Sequence, residues 1–165
     1  MEQRYSIQEL IRRIENNWPE TATPENAVVL CLVRLAELTL DKSKSKLAPL
    51  GLTQAGFEVL ITLRSLPKPH RLTPTELHKS ILVTSGGMSK VLRNLEADGY
   101  ITRRDNPDDR RSMYIELTPK GEESAVTAMA EVATGDREVL STAYSDQELH
   151  DLRQMLQKGL ARLEN

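Results

Sequence analysis

Thr84, Ser85, Gly86, Gly87, Ser89, Lys90 and Arg93 bring hydroxyls, two positions without side chains and two cations into one short stretch. On a helix, Ser85, Gly86, Ser89, Lys90 and Arg93 share a face, opposite an apolar stripe of Met88, Val91, Leu92 and Leu95. Such a face suits contact with a polyanion. Small residues let backbone N–H groups approach phosphate, and Lys or Arg reaches phosphate oxygens or guanine edges. Asp109, Arg110 and Arg111 form a second cationic point, with the Asp109 carboxylate close enough to aim the Arg111 guanidinium fork. The chain shows no glycine-rich phosphate loop, no nucleophile beside a histidine and no metal-ligand spacing, His70, His78 and His150 being too scattered. Neither catalysis nor a cofactor or metal is expected.

The elements that must position these residues follow from caps and periodicity. Ser6 and Glu9 form a capping pattern ahead of Ile7, Leu10, Ile11 and Ile14, which share one helical face and predict a helix to about Trp18-Pro19. Pro24 to about Leu47 is apolar on all sides between Ala27 and Leu40 and turns polar through Asp41 to Lys46, which predicts a long, largely buried helix with a wet end. Thr53 caps a third helix carrying Phe57, Leu60, Ile61 and Leu63. Thr73-Pro74-Thr75-Glu76 starts a short helix with Leu77 and Ile81 inward, ending near Leu82-Val83. A new cap at Thr84 or Ser85 opens the next helix, which Gly99 terminates.

Tyr100 to Arg103 and Ser112 to Leu117 read as two strands around a charged turn, with Met113, Ile115 and Leu117 alternating. Thr118-Pro119 opens a helix carried by Ala125, Ala128, Met129, Val132 and Ala133, and Ser145 caps a last one carried by Leu149, Leu152, Leu156, Leu160 and Leu163. Short helix, tight turn, helix and basic-tipped hairpin make a winged helix-turn-helix. The expected fold class is mainly α with a small β-hairpin wing.

Composition agrees. The 165 residues fit one domain, 28% are charged, and no apolar run is long enough to span a bilayer. The charged start of the chain reads as no secretory signal, and the single cysteine, Cys31, forms no internal disulfide; together they predict a cytoplasmic protein without membrane contact. The net charge of -2 hides a gradient: residues 71 to 121 carry nine Lys and Arg against seven Asp and Glu, whereas 122 to 165 carry four against nine. The basic middle can meet a polyanion while the whole chain stays acidic.

The run Thr84-Ser85-Gly86-Gly87-Met88-Ser89-Lys90-Val91-Leu92-Arg93-Asn94-Leu95-Glu96-Ala97-Asp98-Gly99-Tyr100-Ile101 resembles the multiple-antibiotic-resistance regulator (MarR) family. So do Asn106-Pro107-Asp108-Asp109-Arg110-Arg111 and Leu117-Thr118-Pro119-Lys120-Gly121. The resemblance implies a homodimeric regulator of transcription, a repressor or an activator, that binds a pseudo-palindromic double-stranded DNA operator and is released by a small-molecule effector. It also implies one domain over residues 1–165, with N-terminal dimerisation helices in 1–48, a winged lobe over 53–121 and C-terminal dimerisation helices in 122–165. The family's Asp-x-Arg wing pattern falls on Asp109 and Arg111, with Arg111 in the minor groove. Its recognition-helix contacts fall on Ser85, Gly86, Ser89, Lys90 and Arg93. The helix over residues 6 to 17 is an addition to the family plan, suited to enlarging the dimer interface or covering a ligand site.

An effector pocket is expected to be mostly aliphatic, drawn from Val28, Leu32, Leu35, Phe57 and Ile61 between the dimer helices and the winged lobe, with Trp18 as a further lining residue or an anchor in a core or dimer seam. Some members of the family sense peroxide through a cysteine. Cys31, among Leu30, Leu32 and Val33, reads instead as buried and inert. Two alternatives stand beside the DNA-binding regulator: a winged-helix protein-interaction module and a redox regulator built on Cys31. The clustering of Lys79, Lys90, Arg93, Arg103, Arg104, Arg110 and Arg111 in and after the helix pair favours DNA over protein.

Overall fold

The structure is a computed structural model and describes residues 4–81, 87–107, 109 and 112–164. Its elements run α1 (Ile7–Asn17), α2 (Pro24–Leu47), α3 (Gln54–Arg64), β1 (Arg71–Leu72), α4 (Pro74–Ser80), α5 (Met88–Ala97), β2 (Ile101–Asp105), β3 (Met113–Leu117), α6 (Pro119–Ala143) and α7 (Asp146–Leu163). Short 3-10 turns fall at Pro19–Thr21 and Ala48–Leu50. Hydroxyl caps start α1, α3, α4, α6 and α7: Ser6, Thr53, Thr73, Thr118 and Ser145 each accept a first-turn backbone N–H. Each cap satisfies a donor that the helix itself leaves without a partner. No helix among the described residues is long and apolar enough to cross a membrane.

The chain divides into two compact units, the first ending at Asp41 and the second starting at Lys42, so the boundary lies inside α2. The first unit holds α1, the Pro19–Thr21 turn and most of α2. Here the sequence reading is reversed. Val28, Val29, Leu32, Val33 and Leu38 are 40 to 63% exposed, and the residues α2 buries are Ser43 and Leu47, at its basic end. The physical reason is coverage: a helix apolar on all sides needs neighbours on all sides, and α1 presents a single apolar stripe. Cys31 lies in this stretch and is exposed, not buried, and Trp18 is no core anchor, being 63% exposed.

The core belongs to the second unit. Leu47, Val59, Leu60, Leu63, Leu77 and Ile115 are fully buried, joined by Phe57, Ile81, Leu92, Leu95, Ile101 and Leu117. α6 closes this core with a stripe of mostly small residues, Gly121, Ala125, Ala128, Val132 and Gly135. Met129, expected on that stripe, is exposed. α7 buries none of its residues, and Leu163 is 84% exposed.

The sheet has three antiparallel strands in the order β1-β3-β2. β2 and β3 form the predicted hairpin, with Ile101 opposite Leu117 and Asp105 opposite Met113. Ile115 and Leu117 face the core while Met113 is exposed. β1 adds a third strand, pairing Arg71 with Glu116 and Leu72 with Ile115.

Candidate nucleic-acid interface

Thr73 and Glu76 hold the start of α4 reciprocally. The Thr73 backbone N–H donates to Glu76 Oε2 at 2.9 Å and the Glu76 N–H donates to Thr73 Oγ1 at 3.3 Å. The Thr73 hydroxyl, which donates to Glu76 Oε2 at 2.7 Å, and then the Thr73 N–H keep the Glu76 carboxyl below its ordinary pKa. α4 ends at Ser80, and both Leu77 and Ile81 are buried, as the pattern required. The predicted end at Leu82-Val83 and the predicted cap at Thr84 or Ser85 lie outside the described residues. Among those described, the N-cap of α5 is Gly87, with φ at +109° and no side-chain cap. Only glycine takes that left-handed conformation without strain.

Leu92 and Leu95 fix one face of α5 in the core, with Met88 and Val91 packed partly against it. Ser89, Lys90 and Arg93 are exposed on the other. The cations of this region divide into two groups. Arg103 Nε donates to Glu96 Oε2 at 3.0 Å, Arg104 and Arg71 both approach Glu116, and Arg71 also lies over the Tyr114 ring. Lys79, Lys90 and Arg93 have no hydrogen-bond or ion-pair partner among the described residues. Clustering in sequence therefore overstated the available charge, and the part not neutralised among the described residues lies on α4, at Lys79, and on α5, at Lys90 and Arg93.

At the wing, the Asp109 carbonyl accepts the Ser112 N–H at 2.9 Å, and the Asp109 side chain is exposed with an interaction partner. Thr84, Ser85, Gly86, Arg110 and Arg111 lie outside the described residues. Of the expected effector residues, Phe57 is buried in the core, Leu35 and Ile61 are half-buried, and Trp18, Val28 and Leu32 are exposed. No group of three or more metal-ligating side chains occurs among the described residues. His78 is exposed, His150 bonds Gln154, and His70 is buried with Nδ1 donating to the Leu66 carbonyl.

Two features escaped the sequence reading. Asn94 is exposed one helical turn beyond Lys90, and both line a cavity of about 280 Å³ with Thr53 and Gly87; the i, i+4 spacing from Lys90 was the available signal. The second is the seam between wing and α6. Thr118 Oγ1 donates to the carbonyls of Gly99 (2.7 Å) and Tyr100 (3.1 Å) while capping Gly121, and Lys120 Nζ donates to the Asp98 carbonyl above the Tyr100 ring.

Residues 52–113 match the model of the MarR family. Over 129 residues the chain is 30% identical to an uncharacterised HTH-type transcriptional regulator of Bacillus anthracis, covering 78% of this chain and 84% of that one. The chain belongs to the MarR family. A second relative, the HTH-type transcriptional regulator PecS of Dickeya dadantii (strain 3937), is 25% identical over 151 residues, 91% of this chain and 90% of its own. The fold matches Sco3205, a MarR-family regulator from Streptomyces coelicolor crystallised with DNA, with a TM-score of 0.73, 23% identity and coverage of 87% and 90%. The MarR match starts at Leu52, just before the cap of α3, and ends at Met113, the first residue of β3. It therefore takes in the helix pair and the wing turn and leaves out α1, α2, α6 and α7.

Proposed function

We propose that this MarR-family chain is a homodimeric, sequence-specific regulator that binds double-stranded DNA at a pseudo-palindromic operator. It acts in the cytoplasm, by binding rather than catalysis, as a repressor relieved by a small-molecule effector. The outward face of α5 carries the reading: Ser89, Lys90 and Arg93 are exposed, and the two cations are without partners among the described residues, on a helix pinned from behind by Leu92 and Leu95. A helix held in this way fits a major groove about 12 Å wide. Thr84, Ser85, Gly86 and Gly87 give close backbone approach at its leading end. Asp109, Arg110 and Arg111 carry the wing into the neighbouring minor groove, where the negative potential favours arginine.

The regulator names of the relatives and the DNA held by the Streptomyces neighbour support this reading. The bare apolar surfaces of α2 and α7 support self-association, since a two-fold protein matches a two-fold operator. The effector site is drawn from Trp18, Val28, Leu32, Leu35, Phe57 and Ile61. Its ligand relieves repression only by binding the DNA-free arrangement more tightly than the bound one. A second reading makes Cys31 the effector site: its thiol is exposed, and a redox regulator of this kind loses its peroxide response in the Cys31→Ser variant.

Selection of duplexes from a random pool by the purified protein at near-physiological salt is the test. An enriched inverted repeat with half-sites centred about 10 base pairs apart is expected. No enrichment and no non-specific binding would hand the fold to a protein partner instead.

A further inference from the structure

A cleft of about 230 Å³ opens in the first unit between α1, the Pro19–Thr21 turn and the first turns of α2. It shares no residue with the effector site drawn above, and it is smaller than the roughly 300–1,000 Å³ of drug-sized pockets. Its body is apolar: Ile11 and Ile14 from α1 face Ala27 and Leu30 from α2. The walls are tied together before any ligand arrives. The Trp18 N–H donates to the Ile14 carbonyl at 2.8 Å, the Trp18 carbonyl accepts from Thr21, and Asn26 Nδ2 donates to the Thr21 carbonyl at 2.9 Å.

The charge of the lining is one-sided. Glu15 is its one ionisable residue. Glu9 is engaged by Arg13 and Glu37 by Arg4 and Arg34, whereas Glu15, exposed at the rim, has no hydrogen-bond or ion-pair partner among the described residues. Asn26 gives one of its two amide N–H groups to the Thr21 carbonyl, and its Oδ1 is a second acceptor. An apolar cleft edged by a carboxylate and an amide oxygen asks for a ligand that brings both donors and positive charge.

We propose that this cleft is a binding site for a compact lipophilic cation, a primary ammonium on an aromatic or branched hydrocarbon body. The ammonium donates to the Glu15 carboxylate and Asn26 Oδ1, and the hydrocarbon lies against Ile11, Ile14, Ala27 and Leu30. Charge complementarity selects the cation, and the small volume excludes extended ligands.

Trp18, the only tryptophan of the chain, adjoins the cleft and reports on it by fluorescence. The full-length protein is titrated with phenethylammonium, with 2-phenylethanol as the neutral match and with phenylacetate as the anionic one, with calorimetry in parallel. Saturable binding of the ammonium alone is expected, weakened at least about tenfold in Glu15→Gln. Ala27→Phe, which fills the cleft, abolishes binding while helicity and the unfolding midpoint are retained. Equal binding of all three probes, unchanged affinity in Glu15→Gln, or no binding at millimolar ammonium each overturns the proposal. Binding that appears only when the protein is diluted overturns it as well, because a second copy then occupies the cleft.

Discussion

Lys46 of α2 and Glu138 of α6 are joined by a charge-assisted hydrogen bond, Nζ to Oε1 at 2.7 Å, and Lys42 takes the other carboxylate oxygen at 2.6 Å. Gly135 makes room, since a Cβ there would lie 3.1 to 3.2 Å from the Cγ atoms of both lysines. With two ammonium groups on one carboxylate, Glu138 falls from its ordinary 4.5 to about 2, the hydrogen bond from Lys42 contributing most. A carboxyl depressed in the folded state lends stability at pH values above its unfolded pKa and loses it as acid protonates it in the native protein. The contribution is therefore expected intact at neutral pH and lost between about pH 4.5 and 2. Denaturant unfolding across that range checks it: Glu138→Gln is expected to be less stable at neutral pH and to show a flatter acid limb, and salt is expected to shrink the difference. Superimposable pH profiles for the two proteins would deny the clamp any role.

The seam between wing and α6 tolerates no side chain at Gly121. A Cβ built there sits 2.0 Å from the Tyr100 carbonyl oxygen and 3.0 Å from a methyl of Leu117. Gly121→Ala must push α6 off the sheet, and we expect a loss of about 1–3 kcal/mol or more. Thr118→Val keeps the volume but removes the cap and the donor to Gly99 and Tyr100, and is expected to cost about 1–2 kcal/mol. Equilibrium unfolding measures both. A neutral Gly121→Ala would mean that this seam is not close-packed in solution.

Lys90 and Arg93 are both exposed and without partners among the described residues, but they need not do the same work. If Arg93 reads a base, Arg93→Ala is expected to lose about 1–3 kcal/mol on the preferred duplex and less on variants at one position. If Lys90 meets phosphate, Lys90→Ala weakens every duplex alike and lowers the salt slope by about one unit. Binding to a panel of single-substitution duplexes at several salt concentrations separates the two. A uniform loss for Arg93→Ala reassigns it to the backbone.

Self-association is expected to depend on the bare stripe of α7. Met155, Leu156, Leu160 and Leu163 are all exposed, and an apolar surface of that kind marks a contact site. Leu160→Glu places a charge in the seam and should move the protein from dimer to monomer in sedimentation equilibrium, with a parallel loss of operator affinity. A wild-type protein that sediments as a monomer at micromolar concentration removes the dimer from the mechanism.

The winged lobe was the legible part of the chain. α3 and α4 announce themselves by hydroxyl caps, and α4 and α5 by inward residues such as Leu77, Leu92 and Leu95, because each packs one face on the core. α2 misled because apolar content says how much surface wants cover, not what supplies it. Val28 and Val33 are exposed and Leu47, beyond a lysine-rich run, is fully buried. Cys31 was misjudged with them. β1 went unread because two residues carry no period, and its partner Glu116 lies far along the chain. The pairing that neutralises Arg103 and Arg104 is likewise invisible in sequence, since Glu96 reaches Arg103 only once α5 packs beside β2, and Glu116 reaches Arg104 only once β2 and β3 are in register. The cleft beside Glu15 has no motif at all.

β3 occupies the middle of the sheet, with β2 on one side and the two residues that lead into α4 on the other. A wing drawn as a hairpin could swing by itself. This one shares a hinge line with the entrance to the helix pair, because the strand that leaves the wing also holds Arg71 and Leu72, immediately before the cap of α4. Any tilt that preserves those hydrogen bonds turns the wing and the start of α4 together, as two arms of one lever. Geometry imposed at either arm is thereby felt at the other.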